Sequence, residues 1–210
     1  MPGKPTAVLL LGPTGSGKTP LGRKLEENGL SGRRAIHFDF GAELRSAAAE
    51  AGRSAGLDAA ELEVVKRSLV SGALLEDEEF PVALKVLRAF LHRLRPTPVD
   101  LLVLNGLPRH AGQAERMENL VDIRLVVVLE ATAEVAGDRV GRDVGKDRAG
   151  RPDDKPADVR RKLELYERRT RPLVETYASR GVTVLRLSVG TEDTAEDIYE
   201  AMRVRGEVVS

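Results

Sequence analysis

One stretch near the amino terminus constrains the fold more than any other: residues 7–20 read AVLLLGPTGSGKTP. The apolar run 7–11 has the length and uniformity of a strand buried on both faces of a parallel sheet. Gly12, four residues, Gly17, Lys18 and Thr19 then complete the spacing GxxxxGK(S/T). Glycines at 12, 15 and 17 let the backbone turn tightly with its N–H groups pointing inward, at the start of a helix whose dipole adds positive potential. Pro20 suits the first turn of that helix, where a missing N–H costs little. Gly12, Pro13, Thr14, Gly15, Ser16 and Gly17 are therefore expected to wrap nucleotide phosphates. Lys18 is expected to reach the β and γ phosphates and Thr19 to ligate Mg²⁺.

Further apolar runs follow at 35–40 (AIHFDF), 100–105 (DLLVLN), 124–130 (RLVVVLE) and 182–187 (VTVLRL), separated by helix-like segments. Strands alternating with helices imply an α/β three-layer sandwich, a five-stranded parallel sheet with helices on both faces. Ligands then bind outside the carboxyl ends of the strands. The glycine-rich loop, DFG at 39–41 and NGLPR at 105–109 all follow strands and should meet on one rim. About sixty residues separate the second and third runs, more than one crossover helix needs. Leu84, Val86, Leu87, Phe90, Leu91 and Leu94 mark an amphipathic helix at their end. The earlier part, about 41–80, reads as a helical excursion that binds substrate. Residues 137–154 carry four glycines among basic residues and read as a short mobile lid, about 139–154.

At 210 residues and 41% hydrophobic, the chain has enough material for one sizeable core, and we read 1–210 as a single domain. Thirty-three Lys plus Arg balance thirty-three Asp plus Glu, so no net positive field points to nucleic acid. The absence of cysteine excludes disulfides, a thiol nucleophile and Cys-ligated zinc, and His37, His92 and His110 lack metal-ligand spacing. The amino terminus runs into the first strand without signal-peptide architecture, and no apolar stretch reaches the ~20 residues of a membrane span. The expectation is a cytoplasmic monomer that works on small-molecule nucleotides, with no membrane and no nucleic-acid partner.

Four ordered motifs resemble those of the adenylate kinases and, more broadly, the nucleoside monophosphate kinases: the P-loop, GAELR at 41–45, NGLPRHAGQAE at 105–115, and RVGR, GRPDD and KLELY from 139 onward. The resemblance implies a P-loop kinase fold and transfer of the γ-phosphoryl of ATP to a nucleoside monophosphate, AMP by the glutamine of the third motif. It places Gly41 and Arg45 beside the acceptor nucleotide, Phe40 at a position that contacts the acceptor base, and Gly106 on the same side. Arg109 becomes the acceptor-phosphate arginine and Gln113 the adenine reader. Arg139, Arg142 and Arg151 become phosphate-clamping arginines, Arg139 on the donor side, and Asp153 and Asp154 match the acidic pair that follows. Physical chemistry favours such a set. Phosphoryl transfer between two polyanions needs positioning and cations, and a lid that keeps water out.

The chain also departs from the family pattern. Thr19 stands one position earlier than in the usual GKGT; Asn105 replaces the aspartate that heads DGFPR; Phe40 and Ala42 replace a Thr or Ser and an Asp; Lys162, preceded by Arg161, stands where a catalytic arginine is expected. Asp39 ends the second run on the rim that Thr19 faces. Its carboxylate either serves the metal, contacts an acceptor hydroxyl as in small-metabolite kinases, or caps the following helix. Two alternatives stay open on these residues: a small-metabolite P-loop kinase that phosphorylates an alcohol, and a non-catalytic nucleotide-binding regulator on the same scaffold. DRVG at 138–141 matches the GTPase DxxG by letters, but no guanine-reading NKxD follows.

Overall fold

Strands that are apolar on both faces must be covered twice. The chain meets this with one parallel sheet between two helical layers. A computed structural model of the chain describes residues 4–147 and 155–205. The strands are β1 (Thr6–Leu11), β2 (Ala35–Asp39), β3 (Leu101–Asn105), β4 (Asp122–Glu130) and β5 (Thr183–Ser188). Their order is β2-β3-β1-β4-β5, and every neighbouring pair is parallel. The helices are α1 (Lys18–Asn28), α2 (Phe40–Ala49), α3 (Ala59–Ser71), α4 (Phe80–Leu94), α5 (Ala111–Met117), α6 (Ala133–Gly141), α7 (Pro156–Leu165), α8 (Leu173–Ser179) and α9 (Ala195–Arg205).

Side chains alternate across each strand, so each strand feeds two cores. Ala7, Leu9 and Leu11 of β1 join Phe38 and Leu104 beneath α2, α4, α5 and α8. Val8 and Leu10 join Val103 and Val127 beneath α1 and α9, which contribute Leu21, Leu25, Ile198 and Met202. This is the expected α/β sandwich. α4 buries Phe80, Ala83, Val86, Leu87 and Phe90, and the Phe90 ring meets Phe38 edge-on at 5.0 Å. α3 buries only Val65 and projects from the sheet. A reciprocal cap starts it: Asp58 Oδ1 accepts from the Glu61 N–H and Glu61 Oε2 accepts from the Asp58 N–H, both at 2.9 Å.

β2 stops one residue short of the apolar run. Asp39 caps α2 with Oδ1 accepting from the Ala42 N–H at 2.9 Å, and Phe40 is already helical. β1 lies between β3 and β4, so the chain crosses to opposite sides of β1 on its way to β2 and β4, and the crevice opens at the carboxyl ends of β1 and β3. Among the described residues, no helix is long and apolar enough to cross a membrane.

Candidate active site

The loop after β1 needs backbone that only glycine supplies. Gly12 and Gly15 have φ of 152° and 81°; a Cβ on the first would stand 2.7 Å from the Leu129 carbonyl oxygen, and on the second 2.4 Å from that of Ala136. Ser16 beneath the loop is fully buried. Lys18 folds back over the loop, its Nζ donating to the carbonyls of Gly12 at 2.8 Å and Pro13 at 2.6 Å, with Ser16 Oγ at 3.4 Å. A compact cation thus sits over the glycine-rich loop at the amino end of α1, a place suited to phosphate.

Beside it, three side chains from three elements converge. Thr19 Oγ1 donates to Asp39 Oδ2 at 2.6 Å, and Asn105 Nδ2 donates to Thr19 Oγ1 at 3.0 Å and to Asp39 Oδ2 at 3.2 Å. Burial pushes the Asp39 carboxyl up, but the hydrogen bonds from Thr19 and Ala42 and the nearby charge of Arg45 outweigh it and hold the group below the usual carboxylate range. Asp39 therefore caps α2 and faces Thr19 at once, one oxygen for each. The donor set is a hydroxyl and a carboxylate, hard oxygens that fit Mg²⁺. Among the described residues no group of three or more His, Cys, Asp or Glu is gathered for a metal.

Across the crevice, Arg109 follows β3. Its guanidinium lines the same cavity as Lys18 and Thr19, and burial alone pulls it down to about 10, with no carboxylate of the described residues paired to it. Its backbone is held on both sides: the N–H donates to Gln113 Oε1 and the carbonyl accepts from Thr170 Oγ1, each at 2.8 Å. Gln113 Nε2 donates in turn to the Leu75 carbonyl at 2.8 Å, and His110 Nε2 lies 3.0 Å from the same oxygen. An N–H must face the amide oxygen and a carbonyl the amide nitrogen, so the Gln113 amide has one orientation. Phe40 lines the cavity floor but is 5% exposed and stacked near Phe38, so it serves the core as well. The space beside Gly41, where a Cβ would stand, is flanked at 3.4 Å by Arg45 Nη1 and Asp39 Oδ1. Gly106, with φ of 89°, turns the chain from β3 toward Arg109.

The basic residues after β4 separate into different roles. Arg139 lies inside α6 at 3% exposure; its Nε donates to the Gly15 carbonyl at 3.0 Å, and its Nη1 to those of Gly190 and Asp193 at 2.7 and 2.8 Å. It ties the phosphate loop to the β5–α9 turn and reaches the cavity edge. Arg142 is not brought into the cavity: it forms two bonds to Glu192, at 2.5 and 3.0 Å. Lys162 on α7 does line the cavity, its Cε 3.5 Å from a Cβ placed at Gly72, at the far end of α3. Arg151, Asp153 and Asp154 lie outside the described residues.

No protein-family model matches the chain. Individual relatives do. An adenylate kinase of Stenotrophomonas maltophilia is 33% identical over 198 residues, 90% of this chain and 94% of the relative. One of Parasynechococcus marenigrum is 34% identical over 199 residues, 92% and 94% of the two chains. The chain belongs to the adenylate kinase family. An adenylate kinase of Deinococcus radiodurans, 30% identical over 94% of both chains, extends the likeness to another lineage.

Within this adenylate kinase cavity, sequence reasoning missed Tyr166, Thr170 and the Leu75 carbonyl, all of which line it. A threonine inside YERRT and a leucine carbonyl carry no motif. Glu192, the partner of Arg142, likewise sits fifty residues from it with no spacing signal. The adenylate kinase resemblance had identified Arg109 and Gln113 as contacts to the acceptor. Both residues line the cavity, and Gln113 also braces Arg109 through the backbone.

Proposed function

We propose that the chain converts ATP and AMP into two ADP. It is an ATP-dependent phosphotransferase of the nucleoside monophosphate kinase class. The observation that carries the acceptor assignment is the single cavity lined by Lys18 and Thr19 at one end and by Arg45, Arg109 and Gln113 at the other. A half-buried guanidinium that no carboxylate of the described residues pairs is costly until an anion arrives, and the acceptor phosphate supplies that anion. Gly41, Phe40 and Gly106 shape the pocket for its base, with Gln113 offering the amide valences its protein bonds leave over.

In the reaction, an oxygen of the acceptor phosphate attacks the γ-phosphorus of ATP while the bond from that phosphorus to the β–γ bridging oxygen breaks. Lys18, leaving the loop carbonyls, holds the β and γ phosphates, and the loop from Gly12 to Gly17 accepts the leaving charge. Arg109 and Lys162 neutralise the acceptor side. Arg139 steadies the donor site, and Arg142, released from Glu192, closes over the phosphates and keeps water out, with Arg151 assigned to the same clamp by the family resemblance. Thr19 and Asp39 would hold Mg²⁺, which when bound would supply charge compensation for the phosphates. The reading takes the chain as a cytoplasmic monomer acting on free nucleotides.

The test is ADP formation from ATP, AMP and Mg²⁺ by the purified chain, with Lys18→Ala as the control. The expected outcome is Mg²⁺-dependent ADP that the variant does not make. Equal ADP from both proteins, or phosphorylation of an alcohol but of no nucleoside monophosphate, would overturn the assignment.

A further inference from the structure

We propose that this chain has relocated the carboxylate on the metal side of the rim from the end of β3 to the end of β2, so that Asp39 serves the magnesium site and Asn105 is the residue that positions it. The inference rests on the reading of a Mg²⁺-nucleotide site above.

Asp39 and Asn105 are direct register partners on adjacent parallel strands. The family pattern puts the acid at 105, and this chain has an amide there and an acid next door. Exchanging charge between register partners keeps one carboxylate on the rim while moving it by one strand. The Asn105 amide is 5% exposed and donates to both Asp39 Oδ2 and Thr19 Oγ1. Thr19 gives its only proton to Asp39. A hydroxyl has one donor and two acceptor sites, so with one lone pair taken by Asn105 the other remains for a cation. Asn105 thereby fixes the rotor of Thr19 and the orientation of the carboxylate together.

A second carboxylate would not improve this arrangement. Asn105→Asp replaces the donor 3.2 Å from Asp39 Oδ2 with a like charge. Asp39→Asn removes the charge but keeps the cap on α2, because Asn caps about as well as Asp. The double exchange, Asp39→Asn with Asn105→Asp, restores one acid and one amide with their places swapped.

The experiment measures ADP binding by calorimetry, in EDTA and across a Mg²⁺ titration, for the four proteins. Thermal midpoints in EDTA confirm that each is folded. Asp39→Asn is expected to bind ADP in EDTA at least as well as the parent but to need roughly tenfold or more Mg²⁺ for the half-maximal gain, the scale on which supporting residues set metal affinity. The double exchange is expected to recover most of that loss, which a purely structural role for either residue would not produce. An Asp39→Asn curve that overlaps the parent, or a double exchange no better than Asp39→Asn, overturns the inference; Asn105→Asp needing less Mg²⁺ than the parent overturns the positioning role. Because the readout is binding, an inactive chain with these shifts would sink the proposed reaction and keep the relocation, and an active chain with overlapping curves would do the reverse.

Discussion

The role proposed for Arg109 sets stability against function in one side chain. Its folded-state value is lowered to about 10 by partial burial, so the protein carries a desolvation cost for the charged guanidinium at every pH below that value and loses it only as pH rises through it. At neutral pH the cost stands in full. Arg109→Ala should therefore leave the ligand-free protein as stable as the parent or more so, while cutting efficiency toward the acceptor by ~1.5 to 3 kcal/mol, roughly tenfold to more than a hundredfold. Thermal midpoints and acceptor Michaelis constants check both halves. A variant that is destabilised without ligand and unchanged toward AMP would mean that the arginine is a structural residue.

Elements are placed as tightly as residues. α1 carries the phosphate loop at its amino end and lies so close to β2 that a Cβ at Gly22 would stand 2.2 Å from His37 Nε2. His37 is itself buried, with that nitrogen lacking a hydrogen-bond partner, so its ring has little room to yield. Gly137 in α6 offers the opposite case, with nothing within 4 Å of the same point. Replacing a helical glycine with alanine ordinarily gains about 1 kcal/mol. Gly137→Ala should show that gain as a higher urea midpoint. Gly22→Ala should lose more than it gains, because overpacking costs about 1–3 kcal/mol, and its midpoint should fall. If Gly22→Ala also rises, the α1–β2 approach is looser than described.

For the whole molecule, what matters is that the glycine-rich loop after β1 and the residues after β2 and β3 that we propose for the acceptor open into one cavity. A ligand with two adenosines bridged by five phosphates should span it. Once one head is seated, the other binds as an intramolecular event, so affinity should exceed that of ATP or AMP alone by a hundredfold or more, on the order that linked sites achieve. Calorimetry with the three ligands decides it. Affinity equal to that for ATP would mean that the two ends of the cavity are not filled together.

Much of this was legible in the sequence because it depends on local chemistry. Uninterrupted apolar runs at β1 and β4 specify strands covered on both faces, and the glycine spacing around Lys18 specifies a loop no other residues can form. The rim that gathers Thr19, Asp39 and Arg109 follows from parallel strands ending at the same edge. Choices between partners far apart in the chain were not legible. Whether Asp39 caps a helix or turns to Thr19 was open on the residues, and the geometry has it do both through different oxygens. Arg139 and Arg142 look alike in RVGR, yet one is buried against backbone carbonyls and the other pairs with Glu192 at the surface. Periodicity and motif spacing encode which way a segment folds. Only packing decides which donor meets which acceptor once distant segments compete for the same space.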